Sequence, residues 1–169
     1  MAGLRTRRYH GLLVAARRPP GDRVVLVAGV AETATIADHE VPLFSSRWRS
    51  ATHPVDPSGF ERIERFRLVG SVPEWTFALA ATRLTKRVWM ETGEHTTYVR
   101  FDHNRGDEPI RLSVDVFVEH RPFHETTRGG WEMAMRPISD GHGVEVTAFD
   151  DAEPIFITCS SGSVEPRHV

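Results

Sequence analysis

Apolar and polar residues alternate along much of this chain, and a period of two is typical of β-strands. The alternation is clearest between Ile110 and Glu119, where aliphatic residues occupy every second position. It predicts a strand with one apolar face. Before it, Leu84–Glu91 and Thr96–Phe101 flank the connection TGEH, which predicts a hairpin. The turn cluster DHNRGDEP, residues 102–109, then leads into the strand at Ile110. We therefore expect three consecutive strands that form an antiparallel meander.

Other short stretches with strand-like composition are separated by connections rich in proline and glycine. They are Gly11–Ala16, Arg23–Ala28, Glu61–Val69, Trp75–Ala80, Trp131–Met135, Val144–Phe149 and Ile155–Cys159. No window combines helical spacing with capping residues. The chain is predicted to be all-β, folded as an antiparallel sandwich or barrel.

Composition and charge narrow the class of protein. A chain of 169 residues fits a single domain, residues 1–169, and one core of this size buries roughly 70% of the unfolded surface without a metal or a disulfide. The net charge of −2 argues against a nucleic-acid partner. The single cysteine, Cys159, fits a reducing cytoplasm. The longest apolar run, Val24–Ala31, is too short to span a membrane. We expect a cytoplasmic protein with no membrane partner and no cofactor.

The motif RRYHG, residues 7–11, places hydrogen-bonding side chains directly before a predicted buried strand. Tyr9 offers an aromatic face, Arg7 and Arg8 offer planar donor groups, and His10 can donate or accept. Gly11 allows another backbone or a ligand to approach closely. Such groups suit a sugar, whose ring packs on an aromatic face while its hydroxyls need polar partners. From residue types alone, the motif is more typical of a tyrosine packed at a sheet edge, a hydrogen-bonded histidine and two solvated arginines.

The segment EHRPFHE, residues 119–125, follows the clearest predicted strand and is a second candidate for ligand contact. His120 and His124 have the spacing of a helical zinc pair, but Pro122 and the preceding strand disfavour a helix. No metal site is predicted. A loop at a sheet end that carries Arg121, His124 and Glu125 fits a ligand rim or, equally, a polar turn. Farther away, Trp75 follows a proline and could form a partly exposed carbohydrate platform, although core packing is the commoner fate of tryptophan.

Four stretches in the same order, GLRTRRYHGLLVAA, VPEWTFAL, LTKRVWMETGEHTTYVRF and EHRPFHE, resemble the N-terminal domain of bacterial and archaeal glycogen debranching enzymes of the amylo-α-1,6-glucosidase type. The resemblance covers most of the chain. It implies a β-sandwich of the large mutarotase-like kind, which in that family accompanies a C-terminal catalytic helical barrel. It also implies that glycogen or malto-oligosaccharides and the barrel are the partners.

The resemblance assigns a surface role, and no catalytic residue, to the two polar motifs. Arg7, Arg8, Tyr9 and His10 are implied to face sugar or the barrel, with Arg121 and His124 at the same end of the sandwich. The chain starts after the glycine-rich segment that usually precedes this motif, and the barrel is missing. We therefore expect a sandwich incomplete at one or both ends, whether the chain is a separate domain, a truncated reading frame or a stand-alone accessory protein.

Three functional hypotheses follow from the residues and the resemblance. The first is an accessory glucan-binding domain of a debranching enzyme, not catalytic by itself. The second is a structural module whose polar end docks the catalytic barrel and never contacts sugar. The third, ranked last, is a small sugar epimerase, which would need a histidine and a carboxylate as acid and base. Only His10, His120, His124 and Glu125 could supply these groups.

Overall fold

The computed structural model describes residues 8–47, 55–127 and 131–167. Regular structure in these ranges is β-strand, apart from two short 3-10 turns at Gly59–Arg62 and Ser139–Gly141. All strand pairs are antiparallel, so the predicted all-β, antiparallel class is confirmed. Within the described ranges, no helix has the length and apolar character needed to cross a membrane. The chain divides into two compact units, Met1–Glu125 and Thr126–Val169.

In the described residues of the first unit, eight strands form two sheets. They are β1 (Leu13–Arg18), β2 (Gly21–Ile36), β3 (His39–Pro42), β4 (Ile63–Val69), β5 (Val72–Leu79), β6 (Thr82–Met90), β7 (Thr97–Arg105) and β8 (Arg111–Pro122). In the β2 sheet, the long strand β2 pairs with β8 over most of its length. It also pairs with β1 through its first half and with β3 through its last four residues. The β5 sheet is a meander in the order β4-β5-β6-β7.

The hydrophobic core of the first unit lies between these two sheets. Ala34 from β2, together with Leu43 just after β3, packs with Phe77, Leu79 and Leu84 of the β5 sheet. All five side chains are buried. Because alternate residues of a strand face opposite sides, this leaves the neighbours of Phe77 and Leu84, among them Thr76 and Thr85, on the outer face of the β5 sheet. The arrangement is that of a β-sandwich, as the sequence predicts.

A buried ion pair also links the two sheets. The Lys86 ammonium on β6 donates to Glu32 on β2, whose side chain is only 3% exposed. The same ammonium lies 5.7 Å from the centre of the Trp75 ring. A buried carboxylate is costly unless a charge and a hydrogen bond compensate it, and Lys86 supplies both.

The predicted three-strand meander is wrong at its third strand. The hairpin around TGEH is present, since β6 pairs with β7. The next strand, β8, instead crosses to the other sheet and pairs with β2 from Arg111 opposite Thr35 to Pro122 opposite Val24. The period of two identifies β8 as a strand but carries no information about its partner. Its apolar face is also only partly covered, because Val114 is 38% exposed.

Several predicted boundaries also differ from the observed ones. β7 continues to Arg105, so the turn predicted from residue 102 begins at Gly106 instead. Two of the polar residues that suggested a turn are hydrogen-bonded within the sheet: Asn104 donates to Thr85 at 2.6 Å, and Asp102 accepts from Arg100. β2 extends far beyond Ala28, to Ile36. Its second half does not show a simple apolar–polar alternation, because it contains small residues and the ion-paired Glu32. β3, four residues long with a terminal proline, has no strong strand signal.

The second unit is a three-stranded antiparallel sheet in the order β11-β10-β9. Its strands are β9 (Ala134–Ile138), β10 (Gly143–Thr147) and β11 (Ile155–Thr158). The last two agree with prediction, whereas β9 begins three residues later than the predicted Trp131. Val144, Val146 and Ile155 are buried here, and Phe156 is exposed.

Candidate functional site

The start of β1 and the end of β8 bring the two polar motifs of the sequence together. Both strands pair with the first half of β2, one on each edge, and both run antiparallel to it, so β1 starts opposite Val27 while β8 ends opposite Val24. The residues before β1 fold back over β2, as the approach of Gly11 to Val25 shows, and there they contact the end of β8. The Tyr9 cluster comprises the residues in contact here: Arg8, Tyr9, Arg23, Arg121, Phe123 and His124. The motifs are more than 100 residues apart in sequence, so tertiary structure alone creates this cluster.

Arg121 connects the two segments through their backbones. Its Nη2 donates to the carbonyl oxygen of Arg8 at 2.8 Å. Its Nη1 donates to the carbonyl oxygen of Glu125 at 2.8 Å, and its Nε to Oε2 of Glu119 at 3.1 Å. The residue is 6% exposed. A planar guanidinium with fixed donors suits this role, because it holds several acceptors in one rigid geometry. The structure therefore places Arg121 beneath the surface, where it positions the segments on either side.

Arg8 adds a second link between the segments. Its Nη1 donates to the carbonyl oxygen of His124 at 2.9 Å, and its guanidinium lies 5.7 Å from the centre of the Tyr9 ring. Unlike Arg121, Arg8 is exposed. A cation beside an aromatic face is attractive electrostatically. Arg8 therefore both fixes the turn that carries His124 and borders the Tyr9 ring.

Three rings form the aromatic part of the cluster. The Tyr9 ring lies 4.9 Å from that of Phe123 and 5.7 Å from that of His124, and Phe123 and His124 are 5.3 Å apart in an edge contact. Phe123 is only partly buried, and Tyr9 is 47% exposed. Arg23 covers the Phe123 ring at 6.0 Å. The cluster is thus an open aromatic surface bordered by guanidinium groups.

Gly11 is required by packing at this point of the fold. A Cβ atom there would lie 2.9 Å from Val14 Cγ2 and 3.1 Å from Val25 Cγ1. The next residue, Leu12, donates its N–H to the carbonyl oxygen of Val27 at 2.8 Å. The close approach that the sequence suggested is therefore made to side chains of β1 and β2.

The structure separates Trp75 from this cluster. Trp75 lies on β5, where its ring is 5.3 Å from that of Phe66 and close to Lys86. Lys86 pairs with Glu32, whereas Arg121 is opposite Val25. Glu32 and Val25 are about 23 Å apart along β2, at about 3.3 Å per residue. Of the other predicted residues, His10 adjoins Tyr9 in sequence and is exposed, and Arg7 lies outside the described residues.

Two members of the cluster, Phe123 and Arg23, are not among the residues that the sequence motifs indicate. Phe123 lies inside EHRPFHE, and an aromatic residue between a proline and a histidine after a strand is a usable signal of a surface contact. Arg23 starts the apolar part of β2 and looks like an ordinary solvated residue. Its position over Phe123 follows from the pairing of β2 with β8, and the Phe123 N–H donates to the Arg23 carbonyl oxygen at 2.9 Å.

The cluster offers an aromatic face and hydrogen-bond donors. Of the nearby carboxylate residues, Glu119 is paired with Arg121, and Glu125 accepts a hydrogen bond from Arg121 through its backbone carbonyl oxygen. Over the described ranges, no group of three or more histidine, cysteine, aspartate or glutamate side chains is arranged to hold a metal ion. An aromatic surface flanked by donors suits a flat, hydroxyl-rich ligand or a protein surface.

Comparison with known families identifies the chain. The family model of the glycogen debranching enzyme N-terminal domain matches residues 1–169, so the chain belongs to this family. Searches of curated proteins and of solved structures gave no significant match.

Proposed function

From its place in the glycogen debranching enzyme N-terminal family, we propose that this chain is an accessory, non-catalytic domain that binds glucan. The ligand is glycogen or a malto-oligosaccharide, and the Tyr9 cluster is the contact surface. The observation that carries the proposal is the half-exposed Tyr9 ring, held over Phe123 and beside His124 by a buried arginine.

The physical basis is preorganisation. A sugar ring gains little from a mobile aromatic side chain, because ordering that side chain costs conformational entropy. In the Tyr9 cluster, Arg121 and Arg8 fix the backbone on both sides of the aromatic rings before any ligand arrives. The guanidinium of Arg8 and the imidazole of His124 then stand at the rim, where sugar hydroxyls need partners.

A titration with linear and branched malto-oligosaccharides tests this proposal. Calorimetry on the full chain is expected to show saturable binding that Tyr9→Ala weakens at least fivefold, which corresponds to about 1 kcal/mol. Tyr98→Ala is the matched control, because Tyr98 is 43% exposed but lies on the β5 sheet. Thermal unfolding of each variant checks that the fold is intact. Equal losses in both variants, or no binding by a folded chain, would contradict the proposal.

A second candidate function is docking of a catalytic helical barrel, and the same surface favours it. Aromatic and arginine side chains are enriched where protein interfaces are buried. In this case the chain binds the separately produced barrel, Tyr9→Ala weakens that complex, and oligosaccharides neither bind the chain nor compete. The two candidates are therefore separated by whether malto-oligosaccharide alone produces a signal.

A further inference from the structure

A second candidate site lies on the outer face of the β5 sheet, away from the core. A groove of about 400 Å³ crosses the four strands of this sheet. The residues that line it are Glu64, Arg65, Thr76, Arg83, Asn104 and Arg105. None of these belongs to the Tyr9 cluster, so the groove is independent of the glucan proposal.

Two irregularities in strand pairing build the groove. Between β4 and β5 the register passes from Ile63 opposite Phe77 to Arg65 opposite Thr76, which leaves Glu64 as an extra residue. A β-bulge of this kind redirects side chains, and bulges are frequent beside functional sites. It allows Glu64 and its neighbour Arg65 to line the same groove.

The second irregularity is at the opposite edge of the same sheet. Between β6 and β7 the register passes from Arg83 opposite Arg105 to Leu84 opposite His103, so Asn104 is the extra residue. Asn104 and Arg105 consequently both line the groove, although consecutive residues of a regular strand would face opposite sides. One bulge on each edge strand thus brings neighbouring side chains of β4 and of β7 to the same open groove on the sheet face.

The charges in the groove are unbalanced. Arg83 and Glu64 neutralise each other through two hydrogen bonds, from Nε at 2.8 Å and from Nη2 at 2.9 Å. The side chains of Arg65 and Arg105 have no hydrogen bond or ion pair with any residue in the described ranges. Their charges are nevertheless close to Glu64: the Arg83 guanidinium chiefly, with Arg65 and Arg105 adding to it, lowers the pKa of that carboxyl. The three arginines and the one glutamate that line the groove therefore leave an excess of two positive charges.

A buried hydroxyl lies among these cations without a partner. Thr76 is 7% exposed, and its Oγ1 has no hydrogen-bond partner among the described residues. On the neighbouring strand, Thr85 Oγ1 accepts from Asn104. Leaving a buried polar group unsatisfied costs about 1–3 kcal/mol. An acceptor oxygen bound between Arg65 and Arg105 would give the Thr76 hydroxyl a partner.

We propose that this groove binds a phosphoryl group, either as inorganic phosphate or as a phosphate monoester. Planar guanidinium groups match the oxygens of a phosphate with paired donors. Arg65 and Arg105 supply these donors from the two edge strands, and Thr76 supplies a hydroxyl donor between them. The Arg83–Glu64 pair forms the wall of the site and limits its net charge.

Titration with inorganic phosphate at pH 7.5, with ionic strength held constant by chloride, tests the proposal on the full chain. Saturable binding of one phosphate is expected, and the double variant Arg65→Gln/Arg105→Gln weakens it at least tenfold. The matched control is Arg18→Gln/Arg111→Gln, which removes the same charge from exposed positions on the β2 sheet and leaves affinity within twofold. Equal weakening in both double variants would mean diffuse charge attraction and would overturn the proposal. Absence of saturable binding by the wild-type chain would also overturn it.

The variant Thr76→Val distinguishes a role of the hydroxyl in phosphate binding from an effect on stability. Valine has the shape of threonine without the unsatisfied hydroxyl, so the variant is expected to unfold at a higher temperature yet bind phosphate severalfold more weakly. Unchanged affinity for phosphate would show that the Thr76 hydroxyl does not bind the phosphoryl group. A parallel titration with glucose 6-phosphate identifies the source of the phosphoryl group: tighter binding than phosphate indicates a monoester, and weaker binding indicates the free ion.

Discussion

The Tyr9 cluster and the outer face of the β5 sheet both depend on arginine, but they use it in opposite ways. In the cluster, buried Arg121 directs two of its three hydrogen bonds to backbone carbonyl oxygens. On the β5 sheet, Arg67 and Arg87 both bind the carboxylate of Glu74. Carbonyl oxygens do not titrate in the range where proteins fold, whereas carboxylates do. The hydrogen bonds from Arg121 to carbonyl oxygens in the Tyr9 cluster therefore change little with pH. The ion pairs of Glu74 on the β5 sheet weaken in acid.

The largest effect is expected from Arg121→Met. Methionine fills much of the space but leaves two carbonyl oxygens and Glu119 without their donor, so the free energy of unfolding should fall by about 2–3 kcal/mol. Chemical denaturation measures this change. Arg18→Met, at an exposed position, is the control and should change stability by less than about 0.5 kcal/mol. If the two variants lose equal stability, Arg121 does not hold the cluster together.

The next effect concerns pH. Hydrogen bonds from Arg67 and Arg87, at 2.5 and 2.7 Å, hold the pKa of Glu74 below its ordinary value. The unfolded chain then binds a proton at Glu74 at a higher pH than the folded chain does, so this contribution to stability is present at neutral pH. It is lost as the pH falls below about 4.3, the usual pKa of glutamate.

Glu74→Gln should therefore lower the melting temperature at pH 7, and the difference from wild type should shrink towards pH 3. Arg121→Met should show a difference that depends much less on pH in the same series. Thermal unfolding followed by circular dichroism at several pH values measures both. A gap between wild type and Glu74→Gln that stays constant from pH 7 to pH 3 would contradict the account of the β5 sheet.

The smallest expected change comes from Gly11→Ala. The added methyl group would approach Val14 and Val25 at 2.9 and 3.1 Å, and overpacking of this kind costs about 1–2 kcal/mol. Gly21→Ala is the matched control, since a Cβ there would meet only one backbone oxygen, at 3.8 Å. Denaturant titration compares them. Equal stability of the two variants would show that the start of β1 can move, which would weaken the argument for a preorganised cluster.

The sequence predicted the strands better than their partners. Alternating residues identify β5, β6, β8 and β10, because a half-covered strand must place apolar groups on one side. The pairing of β8 with β2 joins residues far apart in the chain, and no local pattern encodes it. The second half of β2 escaped prediction because Glu32 reads as a solvent-facing residue, yet it is buried against Lys86.

The candidate site was predictable only in part, because its contacts also join residues that are far apart in the chain. Residue types drew attention to Tyr9 and His124, and the family resemblance suggested that their motifs lie at one end of the sandwich. The role of Arg121 could not be predicted from the sequence. Arg121 binds backbone carbonyl oxygens, which every residue has, so the residue types of its partners carry no signal of the contact. Trp75 has the residue type of a sugar platform, but the register of β5 and β6 places it opposite Lys86, whose partner Glu32 is far along β2 from the Tyr9 cluster.

The most direct test of the central claim is a two-dimensional ¹H–¹⁵N NMR titration of the full chain with maltotetraose. We predict that the amides of residues 8–11 and 121–125 shift together along one binding curve, while those of β4 to β7 stay in place. Perturbation confined to the β5 sheet, or no perturbation at millimolar sugar, would contradict the assignment of glucan binding to the Tyr9 cluster.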